Sequence, residues 1–209
     1  MNLLRSPLLS GFILLPGLAL AQGAPESAPA APASAPQSAP AGDEAPAHPV
    51  EKPIRTLINA VRFGKFDLAL KFMSAEPLGA ALLGDDWAKG TPEQQAEFVK
   101  LFHQVFAKVA FPKMKERFEH IQAILYDPPE VTGDQAKIKS VIVILHAMKK
   151  QELKVTYTLV KAGEDWKILD AKVLGDSMVD GIRQDQIIPI MQEGGWANLL
   201  DLLRKKAAG

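Results

Sequence analysis

Glu152-Leu153-Lys154-Val155-Thr156-Tyr157-Thr158-Leu159-Val160-Lys161 alternates apolar and polar side chains with a period of two. In an extended chain Leu153, Val155, Tyr157 and Leu159 share one face, while Lys154, Thr156 and Thr158 share the other. That is the pattern of a strand with one side covered and the other in water. The same rhythm marks candidate strands at Arg117 to Tyr126, Ala136 to Ala147 and Trp166 to Val173. Turn chemistry separates them: Asp127-Pro128-Pro129 with Thr132-Gly133-Asp134, then Met148 to Gln151, then Ala162-Gly163-Glu164-Asp165. Connections this short make neighbours antiparallel.

Upstream the period is helical. Ile54, Leu57, Ile58 and Val61 follow helix spacing, Gly64 interrupts, and Ser74 to Trp87 adds a short apolar segment. Thr91-Pro92-Glu93-Gln94 reads as a helix start, with an N-cap Thr, a Pro at the first helical position and a Gln three residues after the cap. Phe98, Leu101, Phe102, Val105, Phe106 and Val109 then share one face. Downstream, Ser177 to about Glu193 and Trp196 to Lys206 are helical in pattern, with Pro189 expected to end or kink the first near Ile188. Helices, a strand meander and more helices describe an α+β domain: a curved antiparallel four-stranded sheet covered on one face by helices.

The chain begins with one early Arg5, an apolar stretch from Leu8 to Leu20 and then Ala19-Leu20-Ala21, the layout of a secretory signal cleaved after Ala21. An uncleaved segment anchored in the inner membrane is the alternative. Residues 22–52 are built from Ala, Pro and Ser without apolar periodicity, the composition of a disordered linker. The domain is then 53–209.

Composition excludes several chemistries. The 209 residues carry a formal net charge of +0, which gives no overall field for gripping nucleic acid. With no Cys there is no disulfide framework, thiolate metal site, iron–sulfur cluster or cysteine nucleophile. Gly175-Asp176-Ser177-Met178 lacks the second Gly of a nucleophile elbow, because Val179 stands there, and Asp176 or Ser177 reads instead as a helix N-cap. His48, His103, His120 and His146 are scattered without metal-ligand spacing, so neither metal nor cofactor is expected. What remains is a surplus of large apolar groups: Leu82, Leu83, Trp87, Phe98, Phe102, Phe106, Val143, Val155, Tyr157 and Met178. They form either an ordinary core or the lining of a cavity between sheet and helices that holds an apolar ligand.

Three stretches resemble the MlaC, or toluene-tolerance, family. Leu83-Gly84 through Trp87, Thr91-Pro92, Gln94 and Phe98 is similar to its LG-x-x-W-x-x-a-T-P-x-Q-x-x-x-F stretch. Asp165-Trp166-Lys167 to Asp170, followed by Gly175 to Val179, Arg183 and Gly194-Gly195-Trp196, resembles its later motifs in the same order. The chain departs from the family at Ile182, Gln186 and Pro189. The resemblance implies a nuclear-transport-factor-like cone and a periplasmic phospholipid carrier holding acyl chains in an apolar pocket. It also implies partners: an outer-membrane lipoprotein complex and an inner-membrane MCE-type ABC transporter, with transient membrane-proximal contacts and a role in outer-membrane lipid asymmetry. No covalent chemistry is implied, so the chain is expected not to be an enzyme. An adaptor of the same fold that binds a protein partner is the alternative. A small hydrolase or isomerase is another, needing a polar pair around His120, His146 or Asp170.

Overall fold

Helices α1 (Glu51–Arg62), α2 (Phe66–Leu70) and α3 (Glu76–Leu83) open the domain in a computed structural model that describes residues 48–146 and 149–209. The expected secretory signal and residues 22–47 of the expected linker lie outside the described residues. Helix α1 starts two residues inside the segment read as linker. Val50 is the reason, since it is fully buried beside Ile54 and Ile58 against the sheet.

A 3-10 turn, Gly84–Lys89, leads to α4 (Pro92–Val105). Its capping box is complete: the Thr91 hydroxyl accepts from the Gln94 N–H at 3.3 Å, and the Gln94 side chain accepts from the Thr91 N–H at 2.9 Å. These bonds satisfy donors that a helix start otherwise leaves without partners. Beyond α4 the sequence reading errs. A π turn, Phe106–Ala110, joins it to α5 (Phe111–Phe118), so the helix continues past Pro112 and consumes Arg117, where a strand was expected to begin. A proline removes one hydrogen bond of the helix ladder and crowds the carbonyl one turn back. The wider π turn just before it relaxes both demands.

Six strands follow among the described residues: β1 (Ile121–Tyr126), β2 (Glu130–Thr132), β3 (Gln135–His146), β4 (Lys149–Ala162), β5 (Asp165–Val173) and β6 (Asp176–Ser177). They form one antiparallel sheet in the order β1-β3-β4-β5-β6, with β2 also pairing β3. The four long strands are those expected, and β2 and β6 are short additions. Register irregularities between Ile121 and Ala123 and between Thr158 and Leu159 bend strands and increase twist, which is how the sheet curves.

The chain closes with α6 (Met178–Ile182), a second π turn, Arg183–Ile187, and α7 (Ile188–Ala208). Pro189 lies in the first turn of α7 and does not end the helical run. The break comes instead at Gly194–Gly195, where Gly195 takes φ 59°, open to glycine and strained for other residues.

Two apolar cores result. One joins helices to helices, with Leu82, Phe98, Phe102, Phe106, Trp196 and Leu199 among its members. The other joins α1 to the sheet through Val50, Ile54, Ile58, Ile138, Val155, Tyr157 and Leu159. Helix α1 belongs to both, because Leu57 and Val61 face the helical core. In that core Trp87 lies over Gly79 of α3, so a Cβ on Gly79 would meet the ring at 2.5 Å. Phe98 and Trp196 pin the ring from other sides, at 6.1 and 6.0 Å between centroids. Gly79→Ala should therefore destabilise the fold by about 1–3 kcal/mol in urea unfolding, although alanine is the better helix former. Unchanged or improved stability would show that the ring is free to move.

Candidate functional site

Between the two cores lies a cavity of about 630 Å³, within the range of roughly 300–1,000 Å³ common for small-molecule sites. Its floor is the inner face of the sheet: Ile121, Ile142, Ile144, Leu153, Val155, Tyr157 and Ala171. Its roof comes from Ile54, Leu57 and Ile58 of α1, Phe102 of α4, Phe106 of the first π turn, and Phe111, Met114 and Phe118 of α5. The polar lining residues gather where the cavity opens. Arg117, Lys172, Asp176, Asp180 and Gln184 are exposed there, together with Gly175. The interior is apolar and the rim is charged.

Local bonds hold the rim in place. The Ser177 hydroxyl accepts from the Asp180 N–H at 3.0 Å and caps α6, as its sequence reading anticipated. Asp170 of β5 accepts from the Val179 N–H at 3.1 Å, so its carboxylate ties α6 to the sheet. Asp170 is thus a structural cap. His120 is exposed just ahead of β1, and the side chain of His146 lies outside the described residues. His103, whose pKa burial lowers, lines a separate open groove beside Ser74. Among the described residues no group of three acidic or histidine side chains converges on a point that could hold a metal ion.

Of the ten residues expected to form a site, Phe102, Phe106, Val155, Tyr157 and Met178 line this cavity. The other five do not. Leu82, Leu83 and Phe98 are buried in the helical core and Trp87 packs against it, because the face of α4 that carries Phe98 meets α3 and α7 before it reaches the sheet. Val143 lies one residue out of phase. The β3–β4 register pairs Ile142 with Leu153 and Ser140 with Val155, which puts Ile142 and Ile144 on the cavity face and turns Val143 to the opposite one. In Val141-Ile142-Val143-Ile144-Leu145 both parities are apolar, so alternation within that strand is uninformative. Alignment across the hairpin to Leu153 and Val155 would have resolved it. Ile54 and Ile58 were legible as a helix face but not as a roof.

The family motif residues have structural work. Gly84, at φ 58°, lies so close to Arg183 that a Cβ would come within 2.9 Å of its guanidinium carbon. Trp196 donates its indole N–H to the Asp86 carbonyl at 3.0 Å.

The family model of the MlaC protein matches residues 66–205. A phospholipid-binding protein from Ralstonia solanacearum, solved in complex with a phospholipid, superposes with a TM-score of 0.60 at 16% identity, covering 77% of this chain and 95% of that one. At that identity the likeness is one of fold. A further chain, whose name contains NTF2, reaches a TM-score of 0.38 at 13% identity over 59% of this chain and 94% of that one, too distant to carry an argument. No curated protein matches.

Burial pushes the Tyr157 phenol up to about 12, partly offset by a hydrogen bond with Ser140, and burial moves Tyr126 in the same direction. An unfolded tyrosine ionises near pH ~10. The folded state binds the phenolic proton more tightly, so the stability it contributes is complete below that pH and is lost as pH rises towards the folded value. Urea unfolding followed from about pH 9 to about pH 12 should show stability falling with pH, and Tyr157→Phe should make the fall shallower. An identical slope in the variant would place the responsible groups elsewhere.

Proposed function

The chain belongs to the MlaC protein family, and from that premise we propose that it is a periplasmic phospholipid carrier that holds acyl chains in its cavity. The observation that carries this reading is the apolar cavity of about 630 Å³, whose charged lining residues are exposed apart from Asp170, which is bonded to the Val179 N–H. Each methylene removed from water is worth about 0.8 kcal/mol, so two acyl chains of about 30 methylenes would forfeit roughly 24 kcal/mol if exposed. An apolar lining replaces the bilayer interior at similar free energy, so transfer at a membrane is close to balanced. The polar headgroup stays at the charged rim, in water.

The proposal extends to a shuttle between an outer-membrane lipoprotein complex and an inner-membrane MCE-type ABC transporter, the partners that family membership implies. It also takes residues 1–21 as a cleaved signal and residues 22–47 as a linker that ends where the folded domain begins. No helix among the described residues is long and apolar enough to cross a membrane, which is compatible with carriage between membranes. Such a carrier works by burial and release and needs no nucleophile, metal or cofactor. We therefore read it as a binding protein and not as an enzyme.

Ala171 lines the cavity opposite Tyr157 on the neighbouring strand. Native mass spectrometry of protein purified without detergent should find bound phospholipid at about one per chain. Ala171→Phe, which fills the space without adding charge, should lose most of that lipid while its thermal midpoint stays near that of the parent. Protein that is folded, free of lipid and unable to extract it from vesicles would sink the carrier reading in favour of an adaptor.

A further inference from the structure

In the turn after β5, next to residues that line the cavity, one residue holds a strained backbone conformation. Leu174 is the one non-glycine residue with positive φ among the described residues, at 55°, and it is 66% exposed. A branched side chain in that region is strained, and glycine would sit there at ease. The conformation is held firmly, since the Leu174 N–H donates to the Lys154 carbonyl at 3.1 Å. Gly175 and Asp176, which follow directly, line the opening. Strain persists only where the surroundings impose it, and an imposed outlier beside a cavity points to use.

Lysines outnumber carboxylates around Leu174. Lys154 is bonded to it, and Lys172 is two residues before it on β5. Lys149 and Lys150 stand further along β4, where Glu152 pairs with Lys150 at 3.2 Å. Leu145, 42% exposed, lies opposite Lys150 in the β3–β4 register. Asp176 and Asp180 are the carboxylates at the opening itself, on the far side of the turn. An exposed leucine beside Lys154 and Lys172 suits an anionic bilayer surface, with the apolar tip in the acyl boundary and the ammonium groups among headgroup phosphates.

We propose that the Leu174 turn with Lys150, Lys154 and Lys172 is a docking surface for anionic lipid headgroups, which sets this turn, beside the cavity, against the bilayer. This rests on the carrier reading and adds how the carrier reaches its cargo. The test is sedimentation of the full chain with vesicles of phosphatidylcholine alone and with phosphatidylglycerol mixed in, at low salt. Preferential binding to the anionic vesicles is expected. Leu174→Gly should weaken it about tenfold while the thermal midpoint holds or rises, because the strain is gone. Lys154→Gln and Lys172→Gln should each cost about fivefold, on anionic vesicles only. Equal binding by Leu174→Gly and the parent, or no preference between vesicles, overturns the docking surface, including the case in which the turn serves a protein partner. Carried phospholipid is measured on the same samples. Lipid present with vesicles ignored removes the docking surface alone, whereas vesicle binding without carried lipid keeps the surface and removes the carrier.

Discussion

A run of aromatic rings from Trp196 through Trp87, Phe98, Phe102 and Phe106 to Phe111, with centroids 5.2 to 6.1 Å apart along the series, braces the helical layer. Edge and offset contacts of this kind add to plain burial. Their structural consequence is that the helices satisfy one another before they meet the sheet. An apolar void between layers loses contact energy and would close if either layer could settle onto the other. Here the roof is already packed, and the floor is a sheet bent by bulges. The space persists because neither surface has freedom to fill it.

That arrangement explains which parts of the site were legible. The capping box at Thr91 and the alternation in Leu153 to Leu159 are local signals, and both elements form where they were read. Phe102 and Phe106 were found because they lie on the aromatic face of α4 and its extension. Phe98, one turn earlier on that face, went to the helical core, since a helix pattern says that a face is buried without saying against what. Trp87, Leu82 and Leu83 fell to the same ambiguity. Val143 failed for another reason: a strand apolar on both parities has no phase of its own and borrows it from its partner. Pro189 misled, and Arg117 was read as the start of a strand, because a helix can cross a proline such as Pro112 or Pro189 when a π turn precedes it, and no residue preference announces such a turn.

Both π turns adjoin the cavity, through Phe106 in one and Gln184 in the other. Widened turns re-aim side chains that a regular helix would place elsewhere. The chain thus builds its cavity from packing irregularities. The polar residues that a sequence search might recruit for catalysis are committed to caps: Asp170 to the Val179 N–H, Ser177 to the Asp180 N–H. Family membership and an apolar interior both support the proposed capture by desolvation.

The bond between Glu97 of α4 and Arg204 of α7 spans 107 positions in the chain, with both guanidinium contacts at 2.7 and 2.8 Å. Residues paired across β3 and β4 are, at the hairpin end, only a few positions apart. Local pairings form sooner than distant ones, because closing a long loop costs more entropy. The sheet should therefore mature first and the docking of α7 onto α4 last, an order that pulsed hydrogen exchange during refolding reads directly. Until α7 arrives, α4 lacks the partner that braces it, so the roof over the cavity is loose through most of folding and can close around an apolar molecule as well as admit one afterwards.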